Sequence, residues 1–299
     1  MKTLLVLLGP TGVGKTALSM DIAKMLGVPV ISADSRQIYK GIPIVTAAPT
    51  QQQLSEVRHF FIAVKEITDY YSAGQYELDA LQVIEEQFKH SDFALMVGGS
   101  MMYIDAVCCG MDDVPRVDED TRRTVIEMYE TKGIEHITSM LRLLDPDWYS
   151  KVDLKNPKRV MHALEVCIFS GKPYSSILSG NKKERPFRIV KIGLNSDREL
   201  LYSRINSRVD EMVASGLEDE ARSVYHLKHL NSLNTVGLKE WFDYFDGKTA
   251  TKDEVISLIK RNTRHYAKKQ LTWFGRDDSI NWFSPSDNTK VLDFIKTFH

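Results

Sequence analysis

"TLLVLLGPTGVGKTALSMDIAKML", residues 3–26, decides the fold. Its first part is an unbroken apolar run closed by Gly9-Pro10, as expected of a strand buried on both faces of a parallel sheet. Its last part, Lys15 to Leu26, reads as a helix that Gly27 and Pro29 stop. Between them Gly9, Pro10, Thr11, Gly12, Val13, Gly14, Lys15 and Thr16 match G-x-x-x-x-G-K-[ST] at every position. Strand before and helix after is the context this motif needs, which argues against a chance match in a glycine-rich turn. The glycines let backbone amides converge on an anion, and the helix N-terminus adds positive potential. Lys15 supplies a point charge and Thr16 a hydroxyl ligand for Mg²⁺. The loop is expected to bind a diphosphate or a triphosphate, and does not itself say which.

Outward from this loop the pattern repeats. "VPVIS" (28–32), "ALMVGG" (94–99) and "RIVKIGLN" (188–195) read as further strands, with helical stretches such as Leu78–His90 between them. Apolar strands separated by helices mean an α/β fold: a P-loop NTPase-like parallel sheet core with helices on both faces. From about Val117 to Gly180 only helical segments are legible. In one of them Asn156 suits the N-cap, Pro157 the first turn and Gly171 the stop. Residues 117–180 are therefore expected to be a helical insertion in a core made of 1–116 and 181–299. The last third is helical as well. Thr251 and Glu254 fit a capping box that opens a helix running to Phe274, with Gly275 as its stop.

Composition is that of an ordinary globular chain: 299 residues, 43% hydrophobic, 26% charged, formal net charge −1. A global polycation is excluded, so any nucleic-acid surface must be a local patch. Cys108, Cys109 and Cys167 have no CxxC spacing, which fits a reducing compartment and no cysteine zinc site. The run Leu4 to Leu8 is too short for a signal peptide core or a membrane span. A cytoplasmic monomer with no membrane attachment is expected.

"ISADSRQIY" (31–39) places a single carboxylate, Asp34, at a strand end about twenty residues after the phosphate loop. Two readings stand side by side: a general base in a site at the strand ends, or a cap for the segment that follows. A nucleotide hydrolase would carry an Asp after a further hydrophobic strand to hold Mg²⁺. "ALMVGGS" ends in Gly98-Gly99-Ser100 instead, and no N-K-x-D is present, which disfavours an ATPase or GTPase. A P-loop small-molecule kinase, with Asp34 activating a hydroxyl and ATP in the loop, is the alternative enzyme. A non-catalytic nucleic-acid-binding switch is the alternative outside enzymes.

Further motifs resemble one family, the tRNA dimethylallyltransferases or isopentenyl-tRNA transferases. They are "SADSRQIYKG" (32–41), "AGQY" (73–76), "VGGSMMY" (97–103), "NPKRVMHALEV" (156–166), "RINSRVDEMVASGLEDE" (204–220), "TVGLKEW" (235–241) and "TRHYAKKQLTWF" (263–274). The resemblance spans nearly the whole chain. It implies transfer of a dimethylallyl group from dimethylallyl diphosphate to N6 of the adenosine just 3′ of the tRNA anticodon, releasing diphosphate. It implies that Asp34 is the base, that Arg208 reaches the diphosphate, and that Ser100, where the family has threonine, supplies a hydroxyl. It also implies tRNA contacts from Asp34, Ser35, Arg36, Gln37, Ser100, Arg122 and the segment Lys158, Arg159, Val160, Met161 and His162.

Read from spacing alone, Arg204 and Arg208 fit a solvated helix face. Lys155, Lys158, Arg159 and His162 make a basic stripe opposite Val160, Leu164, Cys167 and Ile168. A second basic face comes from Lys260, Arg261, Arg264, Lys268 and Lys269, where Tyr266 and Trp273 read as core. Gln37 has the donor and acceptor pattern to read adenine, and Arg36 can stack or meet a phosphate. The chain departs from the family pattern at Ala48, Ser100 and His162.

Overall fold

Six strands form one parallel sheet in a computed structural model that describes residues 1–180 and 182–298. They are β1 (Thr3–Leu8), β2 (Val30–Ala33), β3 (His59–Phe60), β4 (Phe93–Gly98), β5 (Arg188–Leu194) and β6 (Ile280–Phe283), in the spatial order β3-β2-β4-β1-β5-β6. Helices cover both faces, which explains the unbroken apolar run: Leu4 through Leu8 are wholly inaccessible to solvent. The sheet shares one core with the helices Lys15–Leu26, Arg198–Ala214 and Asn288–Lys296 through Leu18, Ile22, Leu201, Ile205, Val291 and Ile295.

The register matters more than the strand count. Leu8 of β1 pairs with Gly98 of β4, and Gly98 pairs in turn with Ala33 of β2. Three neighbouring strands therefore end level. The next residue on each, Gly9, Asp34 and Gly99, emerges on the same sheet edge.

Two strands were not legible in the sequence. β3 has only two residues, too few for any periodicity, and β6 exposes Asn281 and Trp282 as an edge strand does. β2 starts at Val30 rather than Val28, because Pro29 brings no amide to the ladder and Val30 N makes the first bond, to Arg58 O at 2.9 Å. The helix after Ser72 begins at Ala73, earlier than Leu78, because the Ser72 hydroxyl caps it.

The chain divides into two compact units, Met1–Cys108 with Arg185–His299, and Cys109–Glu184. The first contains the sheet. Within it, Arg185 donates to Val107 O (2.8 Å), Ala106 O (2.9 Å) and the Glu77 carboxylate (2.8 Å), so the chain leaves and re-enters the unit at one clamped point. The second unit is built on the helices Glu119–Leu144 and Pro157–Ser170, around Val125, Ile137, Leu141, Val160 and Leu164. Its described residues hold no strand, and Asn181, where the return to the core was expected, lies outside the described residues. The Asn156 side chain caps the helix Pro157–Ser170 and Gly171 ends it in a left-handed turn, as expected. Ile168, expected inside, is instead exposed.

The helix Lys252–Phe274 is capped by the Thr251 hydroxyl, which accepts from Glu254 N. The reciprocal half of the box is displaced by one residue, since Glu254 accepts from Ala250 N instead. Gly275 keeps right-handed dihedrals, so that helix stops without the expected left-handed glycine. Among the described residues no helix is long and apolar enough to cross a membrane.

Candidate active site

The phosphate loop leaves β1 with Gly9 at φ 145°, where an added Cβ would stand 2.5 Å from the carbonyl oxygen of Leu194 on β5. Only glycine turns here. Lys15 folds back over the loop and donates to Gly9 O and Pro10 O, both at 2.8 Å. Burial and then the nearby Arg208 push its ammonium down to about 7, against the opposing pull of Asp34. Thr16 lies exposed on the first turn of the following helix.

Arg204 is solvent-exposed, as its spacing suggested, whereas Arg208 is partly buried. Arg208 donates to Thr11 Oγ1 (3.3 Å) and Arg204 to Val13 O (3.4 Å), so both reach the loop from the helix Arg198–Ala214. Ile205 and Val209 on the same helix are buried.

Asp34 performs the capping role of the two readings and keeps the geometry for the other. Its Oδ1 accepts from Arg36 N (2.8 Å) and Gln37 N (3.2 Å), closing a turn directly after β2. Among the described residues its Oδ2 has no hydrogen-bond partner. Ser100, at the end of β4, is tied to the same turn: its Oγ accepts from Ser35 N at 2.8 Å and donates to Ser35 Oγ at 3.2 Å.

Arg36 and Gln37 are spent inside the protein. The Arg36 guanidinium donates to Ser232 O and Asn234 O. The Gln37 amide donates to Thr46 O and Ala47 O, and its oxygen accepts from Ser32. Base reading by Gln37 would require breaking these bonds. The short helix Pro43–Thr46 that receives Gln37 is itself held by Glu220, a buried carboxylate accepting from Ile44 N (2.7 Å) and Val45 N (2.8 Å).

Two cavities open at this edge. The wider, about 970 Å³, is lined by Lys15, Thr16, Asp34, Gly99, Arg208 and Gln270, among others. The smaller, about 260 Å³, also touches Asp34 and Arg208 but has apolar walls from Ile205, Val209, Val236 and Ile259. Tyr266 lines both, not the core position its sequence suggested, and burial pushes its phenol up to about 12.

Among the described residues no group of three or more His, Cys, Asp or Glu is placed to hold a metal. Mg²⁺ asks for less: it takes one or two hard oxygen ligands and fills the rest with phosphate oxygens and water. The Thr16 hydroxyl, which lines the wider cavity, is one such hard oxygen.

In the helical unit Lys158 and Arg159 are exposed on the first turn of the helix Pro157–Ser170, while Lys155, expected on the same helical face, is exposed in the turn before the Asn156 cap. Val160 is not available there: it is fully buried in that unit's core, and Met161 packs partly against the same core. His162 stands 3.9 Å from Glu165, and burial and Arg122 push its imidazole below the usual range, so it adds no charge to the stripe at neutral pH. Arg122 lies 3.8 Å from the same Glu165 carboxylate.

The model of the IPP transferase family matches residues 37–277. A tRNA dimethylallyltransferase 1 of Bacteroides thetaiotaomicron is 53% identical over 296 residues, 99% of this chain and 96% of that one. The chain belongs to the IPP transferase family. A tRNA dimethylallyltransferase of Christiangramia forsetii is 47% identical, with 97% and 96% of the two chains covered. Among solved structures, the tRNA isopentenylpyrophosphate transferase of Bacillus halodurans superposes with a TM-score of 0.72 at 34% identity, covering 99% of this chain and 96% of that one. A eukaryotic dimethylallyltransferase solved acting on tRNA gives 0.82 at 25% identity, covering 97% of this chain and 75% of that one.

In this IPP transferase family member, residues unmarked by the sequence reading shape the site as much as those marked. Gln270 and Glu220 are two of them. A buried glutamine one turn after a tyrosine on a basic helix gives no local signal, because only the fold reveals what it faces.

Proposed function

We propose that this chain transfers a dimethylallyl group from dimethylallyl diphosphate to N6 of the adenosine just 3′ of the anticodon in tRNA. The observation that carries the reading is the shared cavity: phosphate loop and Asp34 carboxylate open onto one space, with Arg208 beside both. An allylic diphosphate placed there has its leaving group on the loop and its reactive carbon toward the acid.

The adenine amine is a weak nucleophile, its lone pair delocalised into the ring. Asp34 Oδ2 accepts an N6 proton as the N–C bond forms, while Oδ1 stays fixed by the two turn amides. The C–O bond to diphosphate breaks, and the negative charge growing on its oxygens is met by Lys15, Arg208 and the loop amides. Mg²⁺ held by Thr16 would neutralise part of that charge when bound. Ser100 holds the Asp34 turn in place through Ser35. The exposed Lys155, Lys158 and Arg159 supply positive charge for the tRNA backbone. Extracting the base from the loop costs a few kcal/mol, supplied by such contacts. A tRNA substrate is consistent with the cytoplasmic location expected from the sequence.

One incubation with dimethylallyl diphosphate, Mg²⁺ and unmodified tRNA, followed by nucleoside analysis, tests the reading. Prenylated adenosine is expected. Its absence, with ATP consumed without tRNA in a parallel incubation, would favour the P-loop small-molecule kinase instead.

A further inference from the structure

Gln270 is 2% exposed, yet both ends of its amide are used, and by two different strand ends. Its Oε1 accepts from Thr11 N in the phosphate loop at 2.9 Å. Its Nε2 donates to Gly99 O after β4 at 2.8 Å. The fit leaves no slack: a Cβ added at Gly99 would stand 2.4 Å from Nε2, so glycine there admits the glutamine.

The bonds continue on both sides. Thr11 Oγ1 accepts from Arg208, and Lys15 bonds the carbonyls of Gly9 and Pro10, so the Thr11 side belongs to the diphosphate half. Gly99 precedes Ser100, whose amide donates to Ala33 O (3.2 Å) and whose hydroxyl accepts from Ser35 N, on either side of Asp34. That side belongs to the acceptor half. The sheet ends these strands level but does not fix the loops beyond them. Gln270, carried by the helix Lys252–Phe274, ties one loop to the other.

We propose that Gln270 is a positioning residue that sets the spacing between the diphosphate cradle and the Asp34 turn, and so aligns the prenyl carbon with the incoming amine. The inference rests on the proposed prenyl transfer. A rigid spacer of this kind acts on the alignment of two bound partners and not on the affinity for either. Displacement of about 1 Å in such a geometry costs on the order of a hundredfold in rate.

The test compares wild type with Gln270→Met, which keeps the volume and removes both bonds. Inorganic diphosphate and tRNA affinities are measured by calorimetry and filter binding, and transfer in a single turnover at saturation. Transfer is expected to fall by about ten- to a hundredfold, with both dissociation constants within about threefold of wild type. Water should then intercept the donor more often: its C–O bond breaks, a water oxygen bonds the carbon, a proton is released, and dimethylallyl alcohol rises relative to prenylated tRNA. Gly99→Ala, which displaces Gln270, gives a second reading. The double variant should be no slower than the worse single variant, whereas independent defects would multiply. Unchanged single-turnover transfer in Gln270→Met would overturn the proposal. So would a loss of diphosphate affinity matching the loss of rate, which would make Gln270 part of the cradle. Wild type without any prenyl transfer would defeat the reading of the reaction instead.

Discussion

Lys15 near pH 7 sits at the midpoint of its titration, because burial and Arg208 disfavour its charge. Arriving diphosphate reverses that balance and draws a proton onto the amine. Calorimetry of inorganic diphosphate binding at pH 8 in two buffers of different ionisation enthalpy should show close to one proton more taken up by wild type than by Lys15→Arg. Without ligand the sign is opposite to that of a stabilising ion pair. The folded protein holds fewer protons than the unfolded chain between about 7 and the ordinary 10.5, so this group's penalty is full below 7 and relieved as pH rises through that window. Asp34 permits a cleaner separation, because it both closes a turn and faces the cavity. Asp34→Asn keeps an oxygen for the amides of Arg36 and Gln37 but cannot take a proton. It should retain thermal stability and lose transfer, whereas Asp34→Ala should lose transfer and about 1 kcal/mol of stability. Equal melting temperatures for the two variants would remove the turn from its role.

At the scale of elements, the short helix Pro43–Thr46 has no buried residue of its own and depends on Glu220 for its first amides. Glu220→Ala would strand two donors, and urea unfolding should show a loss of about 2 kcal/mol or more. The helix Pro157–Ser170 offers charge rather than order. Replacing Lys158 and Arg159 with alanine should lower the slope of log tRNA affinity against log salt by roughly 1.5–2. Legibility also divides by element. The phosphate loop, its helix and the helix after Asn156 could be read because caps, glycines and periodicity are local signals. β3 and β6 could not, since two residues carry no period and an exposed edge carries no apolar run. The candidate site divides the same way. Gly9 to Thr16 announce themselves by spacing and Asp34 by position. Arg208 takes its meaning from the loop it reaches across 197 positions, and Gln270 from contacts 259 and 171 positions away.

For the whole molecule, the strand ends hold the proposed chemistry in the unit that contains the sheet, and residues 109–184 form a unit with its own core. Replacing residues 109–184 by a short glycine-serine linker should leave a folded protein that binds inorganic diphosphate with near wild-type affinity. Its tRNA affinity should fall at least tenfold, as filter binding would register; loss of both would make the two units one cooperative body. The clamp at Arg185 has an evolutionary corollary. Since the chain departs and comes back through a single knot of bonds to Ala106, Val107 and Glu77, whatever lies between can be lengthened, traded or recast by descent while the catalytic half inherits its wiring unaltered.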